Sequence, residues 1–218
     1  MTPVYHGARF IEETIRSIVY QGYPNLEYMV VDGGSTDGTV EIIRKYEKHI
    51  SWWVSRRDKG VYDALSTGFS HSTGDIMGWL NASDLLHTNG LFVVGSVFAS
   101  LRAVEWLTGR PTRFNPHGMT VDIRTLPSWS RYRFLAGANK HIQQESTFWR
   151  RSLWEKAGGE LNAAYRDAIS TFGCDFSVTP AFTPWTPSLE GTAFIPTRSA
   201  PRTCSAIMKG ATKLLRGS

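Results

Sequence analysis

The sequence predicts an α/β protein with a mostly parallel central sheet covered by helices. Three observations carry this expectation. Apolar runs of strand length alternate with amphipathic stretches of helix length from Leu26 to Thr108, the rhythm of successive βαβ units. The run Leu26–Val31 ends abruptly at Asp32, and Gly33, Gly34, Ser35, Thr36, Asp37, Gly38 and Thr39 follow. A buried strand therefore gives way to a tight turn and a helix start. That turn sets two carboxylates at the carboxyl end of a strand, the edge where open α/β sheets bind ligands.

Taken in order, Met1–Tyr5 reads as the end of a strand running into a loop, so the first strand looks shortened. Ala8–Gln21 reads as a helix with Ile11, Ile15, Ile18 and Val19 on one face and Glu12–Arg16 as an i,i+4 pair. Gly22-Tyr23-Pro24-Asn25 ends it. The strand to Asp32 and a helix over Val40–Ile50 follow, then a short strand at Ser51–Ser55 and a helix at Val61–Ser70. Asp75–Leu80 reads as a strand that stops at Asn81-Ala82-Ser83-Asp84. Gly90–Ala99 is helical, and Ala103–Thr108 is a strand. After Gly109 the pattern loosens. Met119–Ile123 and Ser146–Trp149 read as strands, and Ser152–Ala157 reads as a short helix stopped by Gly158-Gly159.

A chain of 218 residues is long enough to bury a core, and eight Trp and eight Tyr supply bulk for it. No apolar run reaches the ~18–20 residues needed to cross a bilayer. The N-terminus carries no basic stretch followed by an apolar one, so no secretory signal is expected. Cys174 and Cys204 are too few for a disulfide scaffold, which makes a reducing, cytoplasmic setting the default. The net charge of +5 is uneven. From Ser177 onward Arg198, Arg202, Lys209, Lys213 and Arg216 face the single acid Glu190. The part before Ser177 is close to neutral, and nothing in it calls for a nucleic-acid partner.

The turn at Asp32 is not the dinucleotide fingerprint, whose glycines are spaced G-x-G-x-x-G. It is not a Walker loop either, because no Lys-Ser or Lys-Thr follows. Acids beside a phosphate repel it unless a divalent cation lies between them; otherwise they hold a base or a ribose. The plainer alternative is a strand-to-helix turn capped by Ser35, Thr36 or Asp37.

Several stretches in order resemble the family-2 glycosyltransferases, and more narrowly bacterial enzymes that build surface polysaccharides. Thr2-Pro3-Val4-Tyr5-His6 resembles the family's opening segment, and Ala8–Ile15 the helix after it. Val31–Thr39 resembles the nucleotide-binding turn. Asp58-Lys59-Gly60-Val61-Tyr62-Asp63-Ala64 matches the next stretch. Gly78–Asp84 stands where the metal-binding acidic motif belongs, and Gln143–Arg151 resembles the acceptor-side segment.

The resemblance implies the GT-A fold, a Rossmann-like α/β sandwich. It implies transfer of a sugar from a nucleotide-sugar donor to a saccharide or lipid-linked acceptor, with inversion at the anomeric carbon, in cell-surface polysaccharide synthesis. It also implies a divalent cation, Mg or Mn. The donor-side residues it implies are Thr2, Pro3, Tyr5, Asp32, Gly34, Ser35, Asp37, Lys59, Asp63 and Asn81. Asp32 would hold the base or ribose, whereas Asp37 and Asp63 have capping or solvated roles as equal alternatives. Asp84 is the implied metal ligand. Ser83 stands beside it where the family usually offers a second acid. On the acceptor side the resemblance implies Gln144, Trp149 and Arg150. A general base must deprotonate the acceptor hydroxyl. Asp175, with Asp167 behind it, is the candidate, although Ser177-Val178-Thr179-Pro180 replaces the expected continuation and Pro180 would stop a helix.

Residues 1–176 are accordingly expected to form an incomplete catalytic domain, and 177–218 a Pro/Ser/Thr-rich basic tail that is disordered or foreign to the fold. The shortened first strand, the broken base motif and this tail lead to the expectation of a truncated or frame-damaged polypeptide. The alternative function is a catalytically inactive relative that at most binds nucleotide. A third reading is an interaction domain with a peripheral contact of the basic tail at the inner face of the membrane.

Overall fold

The computed structural model describes residues 1–110, 112–115, 119–123, 144–161 and the backbone of 197–198. A parallel three-stranded sheet forms its first half: β1 (Thr2–Val4), β2 (Met29–Asp32) and β3 (Trp52–Ser55), in the order β1-β2-β3. Thr2 lies opposite Val30, Val4 opposite Asp32, and Asp32 opposite Ser55. All four residues of β2 are buried, as expected of a strand covered on both faces.

A second sheet is antiparallel. Its order is β4 (Ile76–Gly78), β9 (Thr147–Arg150), β6 (Trp106–Thr108), with β9 antiparallel to both neighbours. The Leu80 N–H donates to the Met1 carbonyl at 2.9 Å, and the Met1 α-amino group to the Gly78 carbonyl at 3.2 Å. These bonds set β4 beside β1 and join the sheets edge to edge. Burial pulls the Met1 amine down to a pKa of about 5.

The smaller pairs are β5 (Leu85–Leu86) with β10 (Thr197–Arg198), and β7 (Thr112–Phe114) with β8 (Thr120–Ile123), both antiparallel. Neither β5 nor β7 was visible as a periodic run. A two- or three-residue strand is too short to show a period of two.

Helices cover both faces. One core joins Ile11, Ile15 and Ile18 of α1 (Ile11–Val19) and Ile43 of α2 (Thr39–Lys45) with Val30 of β2. It continues to Val94, Val97 and Phe98 of α4 (Gly90–Ser100). The other core joins Leu65 and Phe69 of α3 (Val61–His71) and Leu153 and Trp154 of α5 (Arg151–Lys156) with Met77, Trp79, Trp106 and Trp149.

Element ends differ from the sequence reading in instructive ways. Ala8–Phe10 forms a turn rather than helix, closed by the Phe10 and Ile11 N–H groups on the Gly7 carbonyl at 2.9 Å. The second helix stops at Lys45, and Glu47–His49 continues as a 3-10 turn. Glu12 does not pair with Arg16. Its Oε1 accepts from Lys45 Nζ at 2.6 Å and from Tyr46 Oη at 2.7 Å, which holds its carboxyl below the usual range. The Arg16 guanidinium lies over the Tyr20 ring instead.

Candidate active site

The carboxyl ends of β1 and β2 open into a cavity of ≈ 750 Å³. It is lined by Pro3, Val4 and Tyr5 at the end of β1, Gly33 and Gly34 after β2, Arg57, Asp58, Gly60 and Val61 after β3, and Asn81 after β4. Tyr5 is 65 % exposed, and its ring stacks on that of His6, centroids 4.2 Å apart. An exposed aromatic plate beside a glycine floor suits a flat, π-faced group such as a nucleobase.

The floor is shaped by Asp32. This carboxylate is fully buried and almost every acceptor position is used within the protein. Its Oδ2 accepts the N–H groups of Gly34 at 3.1 Å and Ser35 at 2.9 Å and the Ser55 hydroxyl at 2.6 Å. Its Oδ1 takes the Ser35 hydroxyl. Ser35 Oγ in turn accepts the His6 N–H at 2.8 Å, pinning the β1 loop to the turn. Gly34 has φ = 84°, and a Cβ there would lie 3.1 Å from the Arg57 nitrogen, so the turn needs glycine.

Asp37 organises the next step of the chain. Its Oδ1 accepts the Thr39 hydroxyl at 2.5 Å and N–H at 3.2 Å, and its Oδ2 accepts the Ala8 N–H at 3.1 Å. The Thr39 hydroxyl bond leads in holding the Asp37 carboxyl below its ordinary pKa. Asp37 thus closes the turn that leads into α2, whose N-cap is Gly38, and ties it to the loop before α1. Asp63 acts in a similar way, since its Oδ2 accepts the Lys59 N–H at 3.0 Å across the start of α3.

At the end of the cavity, Asn81 Nδ2 donates to Oδ2 of Asp84 at 3.2 Å. The loop carrying both is held against α1 by the Thr14 hydroxyl, 2.9 Å from the carbonyls of Ala82 and Asp84. Asp84 is 5 % exposed. Burial, and secondarily the charge of Glu145, push its carboxyl up to about 7 against the pull of the Asn81 amide. A carboxyl this reluctant to ionise alone is well matched to a hard cation, which favours the ionised form. Among the described residues no three His, Cys, Asp or Glu side chains gather as a ligand cluster.

The sequence-expected residues separate clearly. Pro3, Tyr5, Gly34 and Asn81 line the cavity, and Asp32 and Ser35 pin the glycine turn without lining it. Thr2 is buried within β1, where its hydroxyl accepts from Tyr28 Oη at 2.9 Å. Lys59 and Asp63 lie outside the cavity lining. On the expected acceptor side, Trp149 is fully buried and packs against Phe69, Trp79 and Trp106. Arg150 binds backbone carbonyls: Nη2 donates to Phe98 at 2.7 Å and Leu101 at 3.3 Å, and Nε to Val104 at 2.8 Å. Both side chains serve the core and the end of α4. Trp149 reads as acceptor-side by resemblance, but the alternation of β9 turns it inward. Gln144 sits in a 3-10 turn before β9 with its side-chain amide buried. Asp167 and Asp175 lie outside the described residues, as does the tail 177–218 apart from the backbone of 197–198.

Arg57 and Asp58 were given no role by sequence reasoning, although both line the cavity. They follow β3, the next parallel strand after β2. The rule that ligands meet the carboxyl ends of parallel strands would have found them.

A parallel sheet with a carboxylate-pinned glycine turn at its carboxyl edge defines a GT-A-type α/β sandwich, and solved structures agree. TarS of S. aureus in complex with UDP-GlcNAc superposes with a TM-score of 0.66 at 16% identity, over 93% of this chain and 58% of that one. The mannosyltransferase PcManGT of Pyrobaculum calidifontis, in complex with GDP-Man and Mn2+, gives 0.54 at 23% identity, over 74% of this chain and 46% of that one. Residues 1–94 match the family described as Glycosyl transferase family 2, and the chain belongs with the family-2 glycosyltransferases. An uncharacterized glycosyltransferase of Mycobacterium tuberculosis is 31% identical over 157 residues, 68% of this chain and 56% of the relative. Glycosyltransferase AglE of Haloferax volcanii is 33% identical over 94 residues, 41% of this chain and 31% of the relative. The chain therefore spans little more than half the length of the mycobacterial relative and about a third of AglE.

Proposed function

We propose that this protein transfers a sugar from a nucleoside diphosphate sugar to a saccharide or lipid-linked hydroxyl, with inversion, in the synthesis of a surface polysaccharide. The observation that carries this reading is the cavity itself. An exposed aromatic ring (Tyr5), bare backbone (Gly33, Gly34) and Asn81, whose amide binds the buried Asp84 carboxyl, line or adjoin one cavity. That sequence of surfaces suits a base, a ribose and a diphosphate in turn.

The chain's own residues supply binding and orientation. Tyr5 offers its exposed face to the base, and the Asp32 network holds the floor rigid so that little ordering remains to be done when the donor binds. Arg57 lines the same cavity as a cation for an anionic donor. Asp84 would hold a divalent cation, Mg or Mn, which when bound neutralises the leaving diphosphate. Inversion requires one displacement, in which the acceptor oxygen attacks the anomeric carbon as the nucleotide leaves and a base takes the hydroxyl proton. Asp175 is the proposed base, with Asp167 as the second candidate.

Among the described residues no helix is long and apolar enough to cross a membrane. A cytoplasmic location, at or near the inner face of the membrane, is part of the proposal and rests on the resemblance.

The test is thermal unfolding of the full chain with UDP, GDP, ADP and CDP, each with and without Mn, followed by release of nucleoside diphosphate from the matching sugar donors. A ligand at ~100 times its Kd adds about 2.7 kcal/mol, a clear shift in Tm. A cation-dependent shift with one nucleotide and turnover of its sugar supports the enzyme. The same shift without turnover supports the inactive relative. No shift with any nucleotide overturns both.

A further inference from the structure

At the amino ends of β1, β2 and β4 lies a second cavity, of ≈ 500 Å³. β1 is bonded to both β2 and β4, and Met1, where the cavity meets β1, is among its lining residues. Thr2 lies opposite Val30, so the same register carried past Met1 falls opposite Tyr28, Glu27 and Leu26, all of which line the cavity. Gly74 and Asp75, which lead into β4, line it too. The sequence pattern starts these strands at Leu26 and Asp75, yet pairing begins only at Met29 and Ile76. The residues between border the cavity. Alternate residues of a central parallel strand bond to opposite neighbours. The Tyr28 and Asp32 carbonyls accept from Ser51 and Arg56, on the β3 side, and the Gly33 N–H donates to Val4 of β1. The Met29 N–H and the Glu27 carbonyl therefore point to the cavity side. On β4, the Asp75 carbonyl accepts from Arg151, on the β9 side, whereas the Gly78 carbonyl and the Leu80 N–H bond to Met1. The Gly78 N–H and the Ile76 carbonyl therefore point to the cavity side as well.

We propose that this cavity is a strand-acceptor site, which takes an extended, apolar, β-branched peptide segment joined to the Met1 nitrogen and running parallel to β2. Its first residue would bond to the Met29 N–H and the Glu27 carbonyl, and its second to the Gly78 N–H and the Ile76 carbonyl. The side-chain chemistry follows from the two cores. Met1 packs against the core of Phe69 and Trp79, while Thr2 meets Tyr28 of the other. Successive residues thus alternate between them, and both supply apolar lining, Phe69 and Trp79 from one, Ile18, Leu86 and Val94 from the other. A strand buried on both faces is Val- and Ile-rich. The Met1 nitrogen favours a joined segment over a free one. Burial opposes charge on this amine and pulls its pKa down to about 5, whereas an amide at the same nitrogen keeps an N–H for the Gly78 carbonyl and carries no charge.

The experiment compares the full chain with three chains that carry Met-Lys-Val-Ile-Val-Ile, Met-Lys-Gly-Ser-Gly-Ser or Met-Lys-Val-Pro-Val-Pro before Met1, and reads Tm and amide hydrogen exchange. The Val-Ile chain is expected to melt about 5–10 °C higher than the full chain, with exchange at the Met29 and Gly78 amides slowed at least ~10-fold. The Gly-Ser segment buries little apolar surface, and the Val-Pro segment lacks N–H groups that the ladder needs. Both are expected to gain less than about 1 °C. The free peptide acetyl-Val-Ile-Val-Ile-amide is expected to leave Tm unchanged. No gain from the Val-Ile segment, unchanged exchange at Met29 and Gly78, or an equal gain from the Gly-Ser segment overturns the site. An equal gain from the free peptide overturns the attachment at Met1. Every arm is read without nucleotide, so none of these outcomes depends on the donor site.

Discussion

The Ser55 hydroxyl donates to Oδ2 of Asp32 at 2.6 Å, and these two residues are register partners at the ends of β3 and β2. The same oxygen also accepts the Gly34 and Ser35 N–H groups. One buried carboxylate therefore holds two strand ends and the turn that floors the cavity. Asp32→Ala leaves these donors without their acceptor and is expected to cost about 2–4 kcal/mol. Ser55→Ala removes one bond and should cost about 1 kcal/mol. Urea unfolding checks both. Equal, small losses in the two variants would show that the network does not hold the turn.

Gly34 is expected to tolerate no side chain. At φ = 84° with the Arg57 backbone 3.1 Å from a Cβ, Gly34→Ala should destabilise by about 1–3 kcal/mol. Nucleotide affinity should fall with it, because the floor must shift. Gly38, also at positive φ (96°), has open space around the Cβ position. Gly38→Asn should therefore cost much less than Gly34→Ala, and differential scanning calorimetry of the pair reads the difference.

Arg150 separates structure from acceptor binding. Its guanidinium binds the Phe98, Leu101 and Val104 carbonyls, where α4 ends and the chain turns toward β6, and lies over the Phe98 ring. Arg150→Ala is expected to lower stability by about 2–3 kcal/mol while nucleotide Kd stays within about twofold. A normal melting temperature combined with a raised KM for the acceptor would return Arg150 to the acceptor side.

Trp149 is the centre of the second core, with Phe69, Trp79 and Trp106 ring centroids all within 6 Å. Trp149→Ala is expected to cost about 3–5 kcal/mol, and Trp149→Phe appreciably less. Tryptophan fluorescence and urea midpoints follow both. A neutral Trp149→Ala would mean that this ring is not part of the core.

Asp84 carries the prediction on metal dependence. Asp84→Asn keeps the shape and the contact to Asn81 but removes the ionisable ligand. The Mn-dependent part of nucleotide stabilisation is expected to vanish, with metal-independent binding retained. Manganese electron paramagnetic resonance titration reads the loss directly. Undiminished Mn binding in Asp84→Asn would place the cation elsewhere.

Much of the first half was legible as pattern. Ile11, Ile15 and Ile18 recur at helical spacing, and they do form the buried stripe of α1. The apolar run into Asp32 is β2, with the expected turn after it. The second half was less legible because β9 pairs antiparallel between β4 and β6, strands far from it in the chain. Local sequence carries no signal for such partners, and β5 and β7 are too short to carry a period. The roles in the site diverged for the same reason. Asp32, Asp37 and Asp63 are acids in a glycine-rich setting, which suggests ligand binding, yet all three commit oxygens to backbone N–H groups of their own loops.

By itself the sequence determined the strand–helix alternation, the family and the edge of the sheet at which the candidate site is proposed. Those follow from short-range periodicity and from residues adjacent in the chain. Only the tertiary structure decided which carboxylates are engaged within the protein. That depends on how many donors surround each one after folding, and the Ser55 that satisfies Asp32 comes from another strand, 23 residues away. The Asp58 carboxylate lies against Gly33 because that residue has no side chain, a contact between the turn after β2 and the loop after β3.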